Sequence, residues 1–255
     1  MSEQKGKKSV EKIKEVAQVA AHTETVAAPV RRFRAVLFQV ALFLVAGAFA
    51  VLTFLVKTMP SFAIDLKITR AIQLINFPSF ASLMSLISWP GFSPQSIIIA
   101  GLIILVIYGY GLHWEAVMAL IAAVLSMAIN VFVKDLVQRP RPASGMVNVI
   151  DIINSYSFPS GHVMFFLGFL GFIGFLAFSL LKPSLKRSLL LVLLGGLVAL
   201  IGVSRIYLGE HWASDVLGSY LLGSLTLVAT IQLYRWGKRR FFVHQPVAGT
   251  GPQQV

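Results

Sequence analysis

The chain of 255 residues contains no cysteine, which excludes disulfides and thiolate metal sites. Charge is scarce: Asp, Glu, Lys and Arg make up 13% of residues, against about a quarter in a soluble domain. Acidic residues are scarcest, 10 against 22 basic ones. No apolar stretch shows the strict period-2 alternation of an outer-membrane barrel strand, so the apolar runs read as helices. The chain has no internal repeat and no soluble domain larger than a loop. It also lacks a cleavable signal pattern. About 34 mostly polar residues precede the first apolar run, which reads as a retained anchor.

What fills the chain is apolar sequence, 56% of it. Six runs of about 16 to 22 residues stand out: Ala35–Val56, Ser96–Leu112, Ala116–Val133, Val163–Leu181, Ser188–Val203 and Val216–Tyr234. About 20 residues at 1.5 Å rise cross the hydrocarbon layer, so several runs are slightly short for the task. The expected fold is all-α and integral to the membrane, with six transmembrane helices over residues 35–240. A cytoplasmic tail (1–34), with a short helix around Val10–Ala21, is expected before it, and a flexible C-terminal tail (241–255) after it. Between Lys57 and Gln95 the prolines Pro60, Pro78, Pro90 and Pro94 interrupt any span. Apolar residues there mix with Asp65, Lys67 and Arg70, which predicts an interfacial helical segment between spans one and two. The stretch Ser61–Ile75 suits a lid beside a lateral path for lipid.

The formal charge of +12 is gathered in clusters. They are Lys5–Lys14 in the tail, Arg31–Arg34, Lys182–Arg187, and Arg235–Arg240. All fall on one side of a six-span topology, the positive-inside pattern, which puts both termini in the cytoplasm of a multi-pass cell-membrane protein. The clusters set topology and meet anionic headgroups; no nucleic-acid partner is expected. Parity then brings the ends of spans three and five and the starts of spans four and six to the opposite, extracytoplasmic face. The most conspicuous polar residues sit at those four ends.

They are Lys134, Arg141, Ser160, Gly161, His162, Arg205, His211 and Asp215. Three cations, with a small-residue turn that frees backbone N–H groups at a helix N-terminus, can surround a phosphate. His211 and Asp215 are four residues apart. If that stretch is helical they share a face, and Asp215 can accept the imidazole N–H and leave the other nitrogen free to attack. His162 is left to protonate a leaving alkoxide. No carboxylate–histidine cluster has the spacing of a metal site, so neither metal nor cofactor is expected.

KDLVQRPRP (Lys134–Pro142), PSGH (Pro159–His162) and SRIYLGEHWASD (Ser204–Asp215) resemble the three signature motifs of the type 2 phosphatidic acid phosphatase family. Its superfamily also holds glucose-6-phosphatase and the vanadium haloperoxidases. The resemblance covers about residues 100 to 235, with every internal spacing kept. It implies that Lys134, Arg141 and Arg205 bind the phosphoryl oxygens with Ser160 and Gly161. His211 would form a phosphohistidine under the guidance of Asp215, and His162 would serve as acid and then base. The implied substrate is a lipid phosphate in the bilayer: phosphatidic acid, phosphatidylglycerol phosphate or a polyprenyl diphosphate. A lipid phosphotransferase is the alternative within enzymes, and a non-catalytic lipid or anion transporter the alternative outside them. A transporter predicts broken helices or charges buried mid-span. The haloperoxidases are soluble, unlike this chain.

Other residues carry plainer expectations. Local pairing or headgroup contact is expected for Arg139 and Asp135, and a place in the interfacial aromatic belt for Trp212. Gly168, Gly171, Gly174 and the pair Gly195–Gly196 read as helix-packing faces. His22, His113 and His244 lie in tails or loops and are given no role.

Overall fold

In the computed structural model, which describes residues 28–75, 77–151 and 153–242, every regular element is helical and the described residues include no strand. The expected tail helix at Val10–Ala21, and His22 and His244, lie outside those residues. The chain divides into two units, residues 1–44 and 45–255. Of the first unit, residues 28–44 form the opening part of helix α1 (Ala28–Thr58). Phe33, Leu37, Phe43 and Leu44 there are exposed, as suits a helix surrounded by lipid.

The second unit continues α1 and adds seven helices. They are α2 (Ala63–Gln73), α3 (Pro78–Ser88), α4 (Gln95–Gly109), α5 (His113–Val137), α6 (Gly161–Leu180), α7 (Leu185–Tyr207) and α8 (Ala213–Phe241). Breakers set the boundaries. Pro78 opens α3 at a position where its missing N–H is harmless. Gly111, at φ 78°, turns the chain between α4 and α5. The Ser184 hydroxyl caps α7 by accepting from the Arg187 amide at 3.2 Å.

Among the described residues, five helices are long and apolar enough to cross a membrane: α1, α5, α6, α7 and α8. Helix α4, expected as the second span, has 15 residues, about 22 Å of rise, and falls short of that length. Helices α2 and α3, where one interfacial segment was expected, meet at a bend of 120°.

Helix α6 is the centre of the unit. Its Val163, Phe166, Phe169 and Phe172 are buried against Met118, Ala119 and Ala122 of α5, Ile201 of α7, and Val216 and Tyr234 of α8. Two of its expected packing glycines work at closest approach. A Cβ on Gly168 would stand 1.9 Å from Ser126 Oγ, and one on Gly171 2.9 Å from a Leu227 methyl. Gly174 has looser contact, 3.9 Å from Leu194. Around Gly168 the helix widens into one π turn, Phe166–Leu170. Gly195 and Gly196 do not pack as expected, with no described atom within 4 Å of an added Cβ. At the end away from the site, the buried carboxylate of Glu115 accepts from Lys238 Nζ at 2.7 Å and from the Tyr234 hydroxyl at 2.9 Å, tying α5 to α8.

Two glycine classes therefore separate. Gly209 sits at φ 71°, and a Cβ there would stand 2.1 Å from the Asn148 carbonyl oxygen. Gly209→Ala is expected to destabilise the protein by about 1–3 kcal/mol. Gly195→Ala should be neutral or stabilise by up to about 1 kcal/mol through helix propensity. Thermal unfolding in detergent measures both, and equal losses would contradict the assignment.

Candidate active site

The ends of α5 and α7 and the starts of α6 and α8 meet, as parity predicted, and the loop of residues 138–160 threads between them. Lys134, in the last turn of α5, donates to the Tyr156 carbonyl. Gln138 takes the left-handed conformation (φ 57°) that ends α5 and releases Arg139–Pro142 into the site. Arg141 donates to the Glu210 carbonyl at 2.6 Å, to the Ser155 carbonyl at 2.8 Å and to His211 Nε2 at 3.2 Å. Burial pushes the Arg141 guanidinium down to about 10, opposed by the field of Asp215, so it stays charged at neutral pH.

The contact with Arg141 fixes the state of His211. A guanidinium only donates, so Nε2 must present a lone pair and the ring hydrogen must sit on Nδ1. Nδ1 faces Ser157 Oγ and Asp215 Oδ2, each at 3.5 Å. Ser157 in turn donates a short bond to Asp215 Oδ2, so the hydroxyl bridges imidazole and carboxylate. Burial pushes His211 well below the usual histidine range, and Arg141, Lys134 and Arg205 push the same way. The imidazole is therefore neutral at pH 7, the form a nucleophile needs.

The expected shared helical face for His211 and Asp215 is not what joins them. Helix α8 begins at Ala213, and His211 lies before it. Asp215 instead caps the helix, accepting the Trp212 amide at 2.9 Å, and its side chain turns back beneath the imidazole.

The turn before α6 also differs in detail. The Ser160 amide, expected to face an anion, donates to Ser219 Oγ at 2.6 Å. The Ser160 hydroxyl is buried without a partner. The N–H groups of Gly161 and His162, in the first turn of α6, have no intrahelical acceptor and remain for an anion. Gly161 allows α6 to approach α5: a Cβ there would lie 3.2 Å from Asn130 Oδ1, while Asn130 Nδ2 donates to the Pro159 carbonyl at 3.0 Å. His162 meets Phe92 edge-on, ring centroids 4.5 Å apart, and its Nε2 is buried and unpartnered. Arg205, His211, Arg141 and Lys134 are all within electrostatic reach of it.

Arg205, fully buried at the end of α7, donates to Ser88 Oγ, lies 5.1 Å from the Phe92 ring centroid and ion-pairs with Glu210. All eight expected residues thus belong to one site. Sequence reasoning missed Ser157, Ser88, Ser219 and the pairing role of Glu210, none of which carries a local pattern. Arg139 does pair, but over long range: it bonds Asp65 Oδ2 at 2.8 Å and Asp215 Oδ1 at 2.5 Å, all three side chains buried. Asp135 stays exposed. Trp212, expected in an interfacial belt, is buried, with Nε1 donating to the Pro140 carbonyl at 3.2 Å. His113 packs against Tyr108 with the rings tilted and their centroids 4.5 Å apart. Among the described residues no three His, Asp or Glu side chains form a metal-holding group.

An anion bound only by the folded site stabilises it by RT ln(1 + [L]/Kd), about 2.7 kcal/mol at 100 Kd. Orthovanadate or inorganic phosphate is expected to raise the unfolding temperature. Lys134→Met and Arg141→Gln should each remove most of that shift. An undiminished shift in both variants would place the anion elsewhere.

Residues 115–239 match the PAP2 superfamily. The chain is 29% identical over 182 residues to phosphatidylglycerophosphatase B of Bacillus subtilis, covering 69% of this chain and 86% of that protein. Its structure is similar to the crystal structure of a transmembrane PAP2 type phosphatidylglycerolphosphate phosphatase from Bacillus subtilis. There the TM-score is 0.68 at 28% identity, over 79% of this chain and 98% of the other. Aquifex aeolicus LpxE shares the fold at a TM-score of 0.55 and 20% identity, over 68% of this chain and 98% of its own. With the three motifs complete, in order and gathered at one set of helix ends, residues 115–239 belong to the PAP2 superfamily, within a multi-pass membrane protein.

Proposed function

We propose that the protein is a membrane phosphatase that hydrolyses lipid phosphates through a phosphohistidine on His211. The observation that carries this reading is the orientation of His211, with Nε2 facing Arg141 and Nδ1 backed by Ser157 and Asp215. Lys134, Arg141 and Arg205 hold the phosphoryl oxygens, with the Ser160 hydroxyl and the first amides of α6. His211 Nε2 attacks phosphorus, the bond to the lipid oxygen breaks, and His162 gives that oxygen its proton. A water then attacks phosphorus, His162 takes its proton, and the P–N bond breaks to release inorganic phosphate. Positioning and charge stabilisation lower the barrier. The similarity to phosphatidylglycerophosphatase B favours phosphatidylglycerol phosphate, with phosphatidic acid and polyprenyl diphosphates in the same chemical class.

Six spans remain the reading of the architecture, with α4 as a short second span. The basic residues Lys182, Lys186 and Arg187, and Lys238 to Arg240, lie at the helix ends away from the site, which supports reading the site as extracytoplasmic.

We read the lipid path as lying away from the segment Ser61–Ile75 that was expected as a lid. Helix α2 is fixed by Asp65, by Arg70 on the Met146 carbonyl at 3.0 Å, and by Gln73 on the Asn148 and Tyr207 carbonyls. An apolar groove of about 880 Å³ lies instead between α4 and α5, lined by Ser93, Gly101, Met127 and Phe165 among others. Its Ser93 adjoins Phe92, which packs on His162. The acyl tail belongs in this groove, since exposing it to water costs about 0.8 kcal/mol per CH₂.

Two measurements test these assignments. Phosphate release from purified lipid phosphates and acid-quench trapping of phosphoenzyme should both vanish in His211→Ala. His162→Ala should lose at least tenfold more on a lipid phosphate than on p-nitrophenyl phosphate, whose leaving group needs no proton. Transfer to added alcohols instead of water would favour the phosphotransferase reading. EDTA should have no effect.

The groove is tested at Gly101, where a Cβ meets no described atom. Gly101→Phe is expected to raise KM for long-chain lipid phosphates several-fold and leave a short-chain, water-soluble ester unchanged. Proportional losses on both would rule out the groove as tail site.

A further inference from the structure

Asp65 lies on α2, outside every motif and outside the PAP2-matched residues 115–239. It is nonetheless buried beside the Asp215 carboxylate, on the same guanidinium. Its Oδ2 accepts from Arg139 Nη2 at 2.8 Å and from Ser214 Oγ at 2.7 Å, and its Oδ1 accepts the Ser214 amide at 2.8 Å. Arg139 Nη1 donates onward to Asp215 Oδ1 at 2.5 Å and to Ser214 Oγ at 2.7 Å, and its Nε to the Pro60 carbonyl at 2.9 Å. The guanidinium lies between the rings of Phe62 and Trp212, 5.3 and 5.9 Å from their centroids.

We propose that Asp65 and Arg139 are positioning residues of the phosphoryl-transfer site, which hold Asp215 in place and keep one net negative charge directed at His211. The inference rests on the function proposed above. Its logic is charge counting. Arg139 paired with Asp215 alone forms a neutral pair, which would give His211 no net countercharge when phosphorylation makes its ring cationic. A second carboxylate on the same guanidinium returns the group to a charge of −1. The need is acute because the other groups facing His211 are cationic or neutral: Lys134 from α5, Arg141 from the loop, His162 from α6 and Arg205 from α7. The Glu210 carboxylate is taken up by Arg205. In a low-dielectric site one such charge acts strongly on its neighbour.

A purely structural role, docking α2 onto α8, predicts lost stability without a change in proton affinity. The charge role predicts pH shifts of opposite sign. Asp65→Asn keeps the shape and takes the Asp65–Arg139–Asp215 group from −1 to 0. The acid limb of kcat/KM on p-nitrophenyl phosphate should move to lower pH, and kcat should fall at least tenfold with KM within about twofold. Arg139→Gln takes the group to −2, and its acid limb should move to higher pH. Asp65→Asn with Arg139→Gln restores −1 and should recover at least part of the kcat lost in Asp65→Asn alone. Vanadate-dependent thermal stabilisation reports whether each variant has folded its site.

An unmoved acid limb in whichever single variant folds would overturn the proposal. So would two single variants that fail to fold beside a double variant with the wild-type profile, since that pattern marks docking alone. If the wild type itself forms no phosphoenzyme, the underlying function fails instead, and the two failures are thereby distinct.

Discussion

Four cationic side chains, Lys134, Arg139, Arg141 and Arg205, gather among the same helix ends, Arg139 and Arg205 fully buried and the other two half-buried, and the architecture of that end follows from compensating them. An uncompensated buried ion costs several kcal/mol. Two are matched by carboxylates: Arg139 by Asp65 and Asp215, and Arg205 by Glu210. Lys134 and Arg141 are held only by neutral partners, the carbonyls of Tyr156, Ser155 and Glu210 and the imidazole of His211. Among the described residues, neither has a carboxylate within ion-pair distance. The site thus carries excess positive charge on Lys134 and Arg141, which suits the phosphate dianion of the proposed function.

The same compensation holds the elements together. Asp65 attaches α2 to the start of α8 through Ser214, and Asp215 caps α8 while serving Arg139 and His211. The loop of residues 157–160 seats on α8 twice, with Phe158 lying where a Cβ on Gly218 would stand 2.3 Å away and the Ser160 amide bonding Ser219. Few of these polar groups serve one purpose. A substitution at such a residue changes packing and electrostatics together, so the two are separable only by pH dependence or by paired substitutions.

The candidate site residues were legible because the chemistry proposed for them needs fixed spacings at helix ends, and hydrophobic periodicity locates those ends. Asp65 was not, because its partner Arg139 is 74 residues away and α2 reads from sequence as an ordinary amphipathic segment. The charge on Asp65 pointed to a solvated face, and only the fold shows it buried. Trp212 was misplaced for a related reason: a tryptophan at a span end suits an aromatic belt, and nothing local reports the Pro140 carbonyl above its indole. His211 and Asp215 were paired correctly for the wrong cause. Spacing suggested a helical face, whereas the helix starts two residues after His211 and the carboxylate reaches back from its cap. The short α4 illustrates a further limit, since Gly111 and the prolines around it fix its length more tightly than hydropathy does.

Two cavities adjoin the site residues and bear on how an in-line reaction would proceed there. A recess of about 270 Å³ is lined by Arg141, Ser144, Asp151 and Glu210, next to His211. The apolar groove between α4 and α5 reaches Ser93 and Phe165, next to Phe92 and His162. In-line displacement requires the nucleophile and the leaving oxygen on opposite sides of phosphorus. On the proposed mechanism that requirement is met by the lipid lying on the groove side, with His162 at its ester oxygen and His211 across the phosphorus. The water of the second step must approach from the side the lipid has left, because the P–N bond occupies the other. His162 is the titratable side chain that adjoins this position, so one imidazole serves both steps. On that mechanism the dephosphorylated lipid withdraws along the groove before hydrolysis, while phosphate departs through the recess beside Arg141. Lipid and water use the same space in turn, which orders the two half-reactions without any movement of α2.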